Sequence, residues 1–110
     1  VQFGDGNSKR DYTYVGDIAD GVVGCLGKQF GYEVINLGSN KPIALKEFIG
    51  TLERVTAQKA RVVLQPEQPG DVPVTFANIS KAKKLLGWEP KVSLTDGLSY
   101  LVEWYRKNRL

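Results

Sequence analysis

The chain is poor in the residues that perform most metal and nucleophilic chemistry. Among its 110 residues there is no histidine and one cysteine, Cys25. Without histidine, Ser-His and Cys-His catalysis are excluded within the chain, and a zinc site is not expected. One cysteine cannot form an internal disulfide, so the expected compartment is a reducing cytoplasm. The apolar neighbours Val22, Val23 and Leu26 predict that the Cys25 thiol is buried and unreactive.

Long apolar runs and concentrated charge are also missing. No run approaches the roughly 20 residues that span a bilayer, and no signal-peptide pattern opens the chain, so no membrane partner is expected. The net charge of +3 is spread along the chain, which argues against a nucleic-acid partner. A hydrophobic content of 42% is typical of one modest globular domain. The start at Val1, inside an apolar stretch, suggests a piece of a larger protein.

Apolar segments and amphipathic segments alternate, which predicts an α/β fold with few short strands and about four helices. Short strands are expected at residues 1–3, 11–15, 33–37 and 61–64. Helices are expected at 18–26, at 45–55, after Asn78 and after Ser93. Asp17 and Ser93 are predicted to cap helices, and Gly87 to end one. The polar loop from Gly4 to Lys9 is expected to close a hairpin between the first two strands.

Two residues stand out as ligand-binding candidates. The guanidinium of Arg10 carries planar donors that fit two phosphate oxygens at once. Asp71 follows Gly70 in a loop and could accept hydrogen bonds from a ribose diol. Simpler interpretations remain open at this point: Arg10 could pair with a nearby acidic residue such as Asp5, Asp11 or Asp17, and Asp71 could only form a turn.

Three further residues could complete a nucleotide site. Gln68 and Thr75 lie close to Asp71 in sequence, and Phe3 could stack on a flat base, although an apolar strand residue more often belongs to a core. The run Gly4-x-Gly6-x-x-Lys9 lacks the third glycine and the following helix of a dinucleotide fingerprint. No tyrosine is followed four residues later by lysine. We therefore predict neither cofactor-binding nor catalytic residues in this chain.

The succession of motifs resembles the C-terminal, substrate-binding region of nucleotide-sugar epimerases and dehydratases of the extended short-chain dehydrogenase type. The matching segments are residues 4–6, 10–18, 32–38, 68–90 and 97–105. Among these enzymes the chain is most similar to UDP-glucuronate 4-epimerases, which also resemble it in carrying Gln at position 68, where many relatives have Arg.

This resemblance implies that Arg10 holds the diphosphate, that Asp71 holds the ribose and that Phe3 lies near the uracil. It implies inversion at C4 of UDP-glucuronate through a 4-keto sugar, with NAD bound by an N-terminal Rossmann-type domain absent from residues 1–110. On this view the chain alone is inactive.

Two other interpretations are open. The chain could belong to a related dehydratase or decarboxylase acting on UDP- or dTDP-sugars, or it could be a stand-alone binding or interaction module. Whichever interpretation holds, the isolated chain would leave the strand edges at 1–3 and 33–37 and the apolar helix faces at 18–26 and 45–55 uncovered. We therefore expect the isolated chain to form a homodimer.

Overall fold

Eight short elements make up the computed structural model, which describes residues 1–109. They are β1 (Gln2–Phe3), β2 (Lys9–Arg10), α1 (Val15–Leu26), β3 (Ile43–Ala44), α2 (Leu45–Thr56), β4 (Leu64–Gln65), α3 (Ser80–Leu86) and α4 (Leu94–Lys107). This arrangement confirms the predicted α/β architecture of four helices and few short strands.

The strands form two separate two-stranded sheets. β1 pairs with β4 in parallel, and β2 pairs with β3 in antiparallel register, with Lys9 opposite Ala44. Lys9 also forms a parallel bridge with Val74. Because β1 and β2 have different partners, the predicted hairpin between them is wrong. The loop from Gly4 to Lys9 instead connects the two sheets.

That loop packs against the start of α2. The backbone amides of Leu45 and Lys46 donate to the carbonyls of Ser8 and Gly6, each at 3.0 Å. The first amides of a helix have no partner within the helix and usually need a side-chain cap. Ala44 occupies the cap position and offers none. Carbonyls of the loop therefore replace the missing cap.

Three of the predicted strands were placed wrongly. The second strand lies at Lys9–Arg10 instead of 11–15, because the backbone there pairs with β3 and Val74. The last lies at Leu64–Gln65, shifted toward the C terminus. The segment 33–37 forms no strand. Its residues Ile35 and Leu37 pack against the core, but no described segment lies beside its backbone as a ladder partner.

The caps were predicted with mixed success. Helix α1 begins at Val15, so Asp17 lies in its first turn and does not cap it. Ser93 accepts a hydrogen bond from the Asp96 amide and caps α4, as predicted. Gly87 ends α3 in the left-handed conformation with φ of 62°, which glycine adopts without steric cost.

The core lies where α3 and the following turn meet α1. Ile79, Ala82 and Trp88 are buried together, and half-buried apolar side chains surround them. The indole nitrogen of Trp88 donates to the carbonyl of Asp17 at 2.9 Å. Gly21 lets Trp88 and Leu37 pack close to α1, because a Cβ there would lie 3.2 Å from Trp88 Nε1 and 2.6 Å from Leu37 Cδ1. Separately, α2 packs on α4.

Much apolar surface stays outside this core. On α1, Val22, Val23 and Leu26 are 55%, 64% and 81% exposed. Cys25 on the same helix is only half-buried, so the prediction of a buried thiol is wrong. Exposed apolar surface of this extent is typical of a face that contacts another protein surface. Among the described residues no helix combines the length and hydrophobicity needed to cross a bilayer.

Candidate functional site

Arg10 ends β2 and forms an ion pair with Asp71, 61 residues further along the chain. The Nη2 to Oδ1 distance is 3.1 Å, and Nη1 also donates to the carbonyl of Lys9 at 2.7 Å. The side chains are 32% and 44% exposed, so both remain accessible to a ligand. The structure thus brings together the two residues that the sequence singles out most strongly. The Arg10 guanidinium does not pair with Asp5, Asp11 or Asp17.

A tight turn presents Asp71. The amide of Asp71 donates to the carbonyl of Gln68 at 3.2 Å, and Gly70 has a φ of 84°. A proline followed by a glycine of positive φ is the sequence signature of a type II β-turn. The Asp71 carboxylate, at the end of this turn, is therefore free to point toward β2.

Arg10 and Asp71 line two different clefts, and one of them contains the guanidinium. We call it the Arg10 cleft; it is open and has a volume of about 560 Å³. It is lined by Arg10, Asp11, Thr13, Ile35, Asn36, Leu37, Gly38, Thr75, Phe76 and Ala77. Thr75 thus lies in the same cleft as Arg10, and its amide donates to the carbonyl of Lys9 at 3.2 Å.

The second cleft contains the carboxylate partner. We call it the Phe3 cleft; its volume is about 210 Å³, and it is lined by Phe3, Gly4, Asp5, Asn7, Ser8, Glu67, Asp71 and Pro73. Phe3 is 44% exposed, so its ring is available for stacking. Gln68 lines neither of the two clefts and is exposed on the turn.

The Phe3 cleft is acidic. Besides Asp71 it contains Glu67 and Asp5. Hydrogen bonds donated by the backbone amide and then the side chain of Asn7 lower the pKa of Asp5 below its ordinary value of 3.8. Asp5 therefore stays ionised at neutral pH. A cleft with three carboxylates repels phosphate and accepts hydrogen bonds from hydroxyl groups.

Sequence reasoning missed Asp11, which the structure places at the wall of the Arg10 cleft. Its two oxygens accept the backbone amides of Ser39, Asn40 and Ala77 at 2.9 to 3.0 Å. The signal available in the sequence was the Gly38-Ser39-Asn40 loop after an apolar run. Nothing in the sequence alone indicates that this loop meets Asp11.

The described residues do not fit a dinucleotide or a metal. Gly4 and Gly6 have positive φ, yet the next element is the strand β2, so the loop does not lead into a helix, and the first amides of α2 beside it are taken by the carbonyls of Ser8 and Gly6. A pyrophosphate cradle of the Rossmann type needs that helix. No group of three or more potential His, Cys, Asp or Glu ligands converges among residues 1–109.

Comparison with known proteins gives the class. The model of the GDP-mannose 4,6 dehydratase family matches residues 1–101, and the chain belongs to this family. Its fold is that of a part of the extended short-chain dehydrogenase-type epimerases. Among curated relatives, it is 49% identical over 107 residues to UDP-glucuronate 4-epimerase from Thermodesulfobacterium geofontis, covering 96% of this chain and 33% of that protein. It is 35% identical over 108 residues to a putative GDP-L-fucose synthase from Arabidopsis thaliana, covering 98% of this chain and 33% of that one.

Two solved structures are similar in fold. A UDP-glucose 4-epimerase from Thermotoga maritima with UDP-glucose superposes with a TM-score of 0.89 at 38% identity, covering 96% of this chain and 34% of that one. A UDP-glucuronic acid 4-epimerase from Bacillus cereus in complex with UDP-glucuronic acid and NAD gives 0.87 at 36% identity, with the same coverage. The chain thus spans about a third of the relatives it matches.

Proposed function

We propose that this chain is the nucleotide-sugar-binding part of an NAD-dependent 4-epimerase acting on UDP-glucuronate. The observation that carries the proposal is the ion pair of Arg10 and Asp71, which lies between an open cleft with a cationic group and an acidic cleft with an aromatic ring. A nucleoside diphosphate has matching parts, since its phosphates are anionic and its ribose carries hydroxyl donors.

Each candidate residue has a role in this proposal. Arg10 holds the diphosphate, because guanidinium pairs with two phosphate oxygens and stays charged. Asp71 accepts the ribose hydroxyls and Phe3 stacks on the uracil. Thr75 lies in the Arg10 cleft, and we assign its hydroxyl as a donor to the bound ligand. Gln68 lies on the turn that presents Asp71, outside both clefts. A contact between Gln68 and the ligand would need this turn to change its conformation.

The cofactor belongs to another part of the enzyme in this proposal. NAD supplies the group that accepts and returns the sugar hydride, and the described residues do not fit it. The proposal therefore assigns NAD binding and the catalytic base to a preceding Rossmann-type domain. The length of the relatives, about three times that of this chain, supports that assignment. Residues 1–110 by themselves are proposed to be inactive.

The test is product analysis with the complete enzyme. We expect conversion of UDP-glucuronate to UDP-galacturonate, and loss of most of this activity in Arg10→Ala but not in Arg106→Ala, which removes an exposed arginine from the last turn of α4. A dehydratase, the activity for which the matched family is named, would instead release a deoxy sugar nucleotide, and a decarboxylase would release a pentose sugar nucleotide. Detection of such a product as the main one would replace the epimerase assignment.

A further inference from the structure

Asp11 joins two remote segments at one point. Its Oδ1 accepts the amide of Ser39 at 2.9 Å, and its Oδ2 accepts the amides of Asn40 at 3.0 Å and Ala77 at 2.9 Å. These donors lie 28, 29 and 66 residues along the chain. One carboxylate therefore satisfies three backbone donors that no helix or sheet pairs in this structure.

The contact is closely fitted. Gly38 is buried, and a Cβ at this position would lie 2.6 Å from Ala77 Cβ and 2.9 Å from Asp11 Oδ2. The hydroxyl of Ser39 donates to the carbonyl of Tyr12 at 3.0 Å. The turn at 38–40 is thus held against both the segment that follows β2 and the segment around Ala77.

These joined segments are the walls of the Arg10 cleft. Leu37 and Gly38 form one wall, and Phe76 and Ala77 form another. Arg10 is the covalent neighbour of Asp11, so the guanidinium and both walls share one anchor. A displacement of about 1 Å in a binding group can cost on the order of 100-fold in rate, so such an anchor matters to a ligand.

We propose that Asp11 is a positioning residue of the phosphate site, which sets the separation of Arg10 from the two walls without contacting the ligand. This inference rests on the function proposed above. Three backbone amide dipoles are directed at the Asp11 carboxylate and offset part of its negative charge. The carboxylate therefore repels a phosphate beside Arg10 less strongly. A carboxylate carries only acceptor oxygens, so Asp11 cannot donate a hydrogen bond to a phosphate.

The chain offers a matched control for a test. Asp17 is also a carboxylate that accepts backbone amides, from Lys91 at 3.1 Å and Val92 at 3.0 Å, but it lines neither cleft. Asp11→Asn and Asp17→Asn are nearly isosteric changes that replace one acceptor oxygen with a donor. Asp11→Asn should lower the melting temperature, because the side-chain amide nitrogen then faces one backbone amide, whereas Asp17→Asn can keep both bonds through its remaining oxygen. Only Asp11→Asn should weaken the binding of UDP.

The experiment uses the complete enzyme, with UDP titrated calorimetrically and UDP-glucuronate kinetics measured alongside. For Asp11→Asn we expect Kd for UDP to rise about tenfold, the effect of losing about one well-made interaction. KM should rise more than kcat falls. For Asp17→Asn the Kd should stay within about twofold of wild type, since distant sites add independently.

Two results would overturn the inference. If Asp11→Asn bound UDP as tightly as Asp17→Asn while Arg10→Ala did not bind, Asp11 would have only a structural role. If Arg10→Ala bound UDP as well as wild type, the proposed function would fall and the inference with it.

A second pair of variants tests the positioning role if Asp11→Asn does not fold. Gly38→Ala crowds the same contact without removing the charge, and Gly24→Ala adds a methyl group in open space. The first should weaken UDP binding and the second should not. Equal affinities for the two glycine variants would count against the positioning role.

Discussion

The Nη2 atom of Arg10 lies 3.1 Å from the Oδ1 atom of Asp71. The pair is partly exposed, so its contribution to the free energy of unfolding should be small, below about 1 kcal/mol. A double-mutant cycle of Arg10→Ala and Asp71→Ala, read by urea denaturation, measures this coupling. A coupling of several kcal/mol would mean that the pair is structural and would argue against a role in ligand binding.

Ligand affinity should respond to the same two residues much more strongly. We expect Arg10→Ala to weaken UDP binding at least about tenfold, since hydrogen bonds to charged groups contribute about 1.5–3 kcal/mol. Arg10→Lys should recover only part of the loss, because ammonium lacks the planar fork. Isothermal titration with UDP gives the comparison, and Arg106→Ala serves as the control with unchanged affinity.

The two tryptophans should differ sharply in their effect on stability. Trp88 is buried and donates to the Asp17 carbonyl, whereas Trp104 is 57% exposed. Trp88→Phe should lower the free energy of unfolding by about 2 kcal/mol, because it removes the hydrogen bond of the indole nitrogen and leaves the core underfilled. Trp104→Phe should change it by less than about 0.5 kcal/mol. Similar denaturation midpoints for both variants would contradict the placement of the core.

Two helix-ending glycines provide another contrast. Gly87 has a φ of 62°, and Gly27 has a φ of −87°, while neither has an atom within 4 Å of an added Cβ. Gly87→Ala should therefore cost about 1 kcal/mol through backbone conformation alone. Gly27→Ala should be neutral or stabilise by about 0.5 kcal/mol through the unfolded chain. Thermal denaturation of the two variants tests this difference, and equal melting temperatures would refute it.

Association of the isolated chain remains a prediction. The exposed apolar face of α1 and the unpaired segment 33–37 lead us to expect a homodimer in solution. Leu26→Lys should shift the molecule toward monomer in sedimentation velocity, because it places a charge on that face. Ser99→Lys, on an exposed polar position of α4, is the control that should not. A wild-type monomer at high concentration would contradict the expectation.

The sequence predicted the helices far better than the strands. The helix at 45–55, the Ser93 cap and the Gly87 stop were predicted from local signals, and the structure has α2 at Leu45–Thr56, the cap at Ser93 and the end of α3 at Gly87. The segment 33–37 has the composition of a buried strand, but the described residues offer no second strand with which its backbone could pair. Strand formation depends on a partner, and composition does not reveal whether a partner is present.

The candidate site was predictable in part for a similar reason. The guanidinium of Arg10 and the turn that presents Asp71 follow from residue chemistry. The role of Asp11 depends on amides that lie 28 to 66 residues away. Asp17 was misassigned as a helix cap because a cap and a tertiary acceptor have the same sequence signal. The two roles differ only in that the backbone amides of residues 91 and 92 lie close enough in the fold to donate to Asp17.

The carbonyls of Gly6 and Ser8 that serve the first amides of α2 also link that helix to the Phe3 cleft, since Asp5 and Ser8 line it. A nucleotide in the Phe3 cleft that immobilises this loop should slow hydrogen–deuterium exchange at the amides of Leu45 and Lys46, neither of which lines that cleft. The opening turn of α2 would then act as a built-in reporter of occupancy.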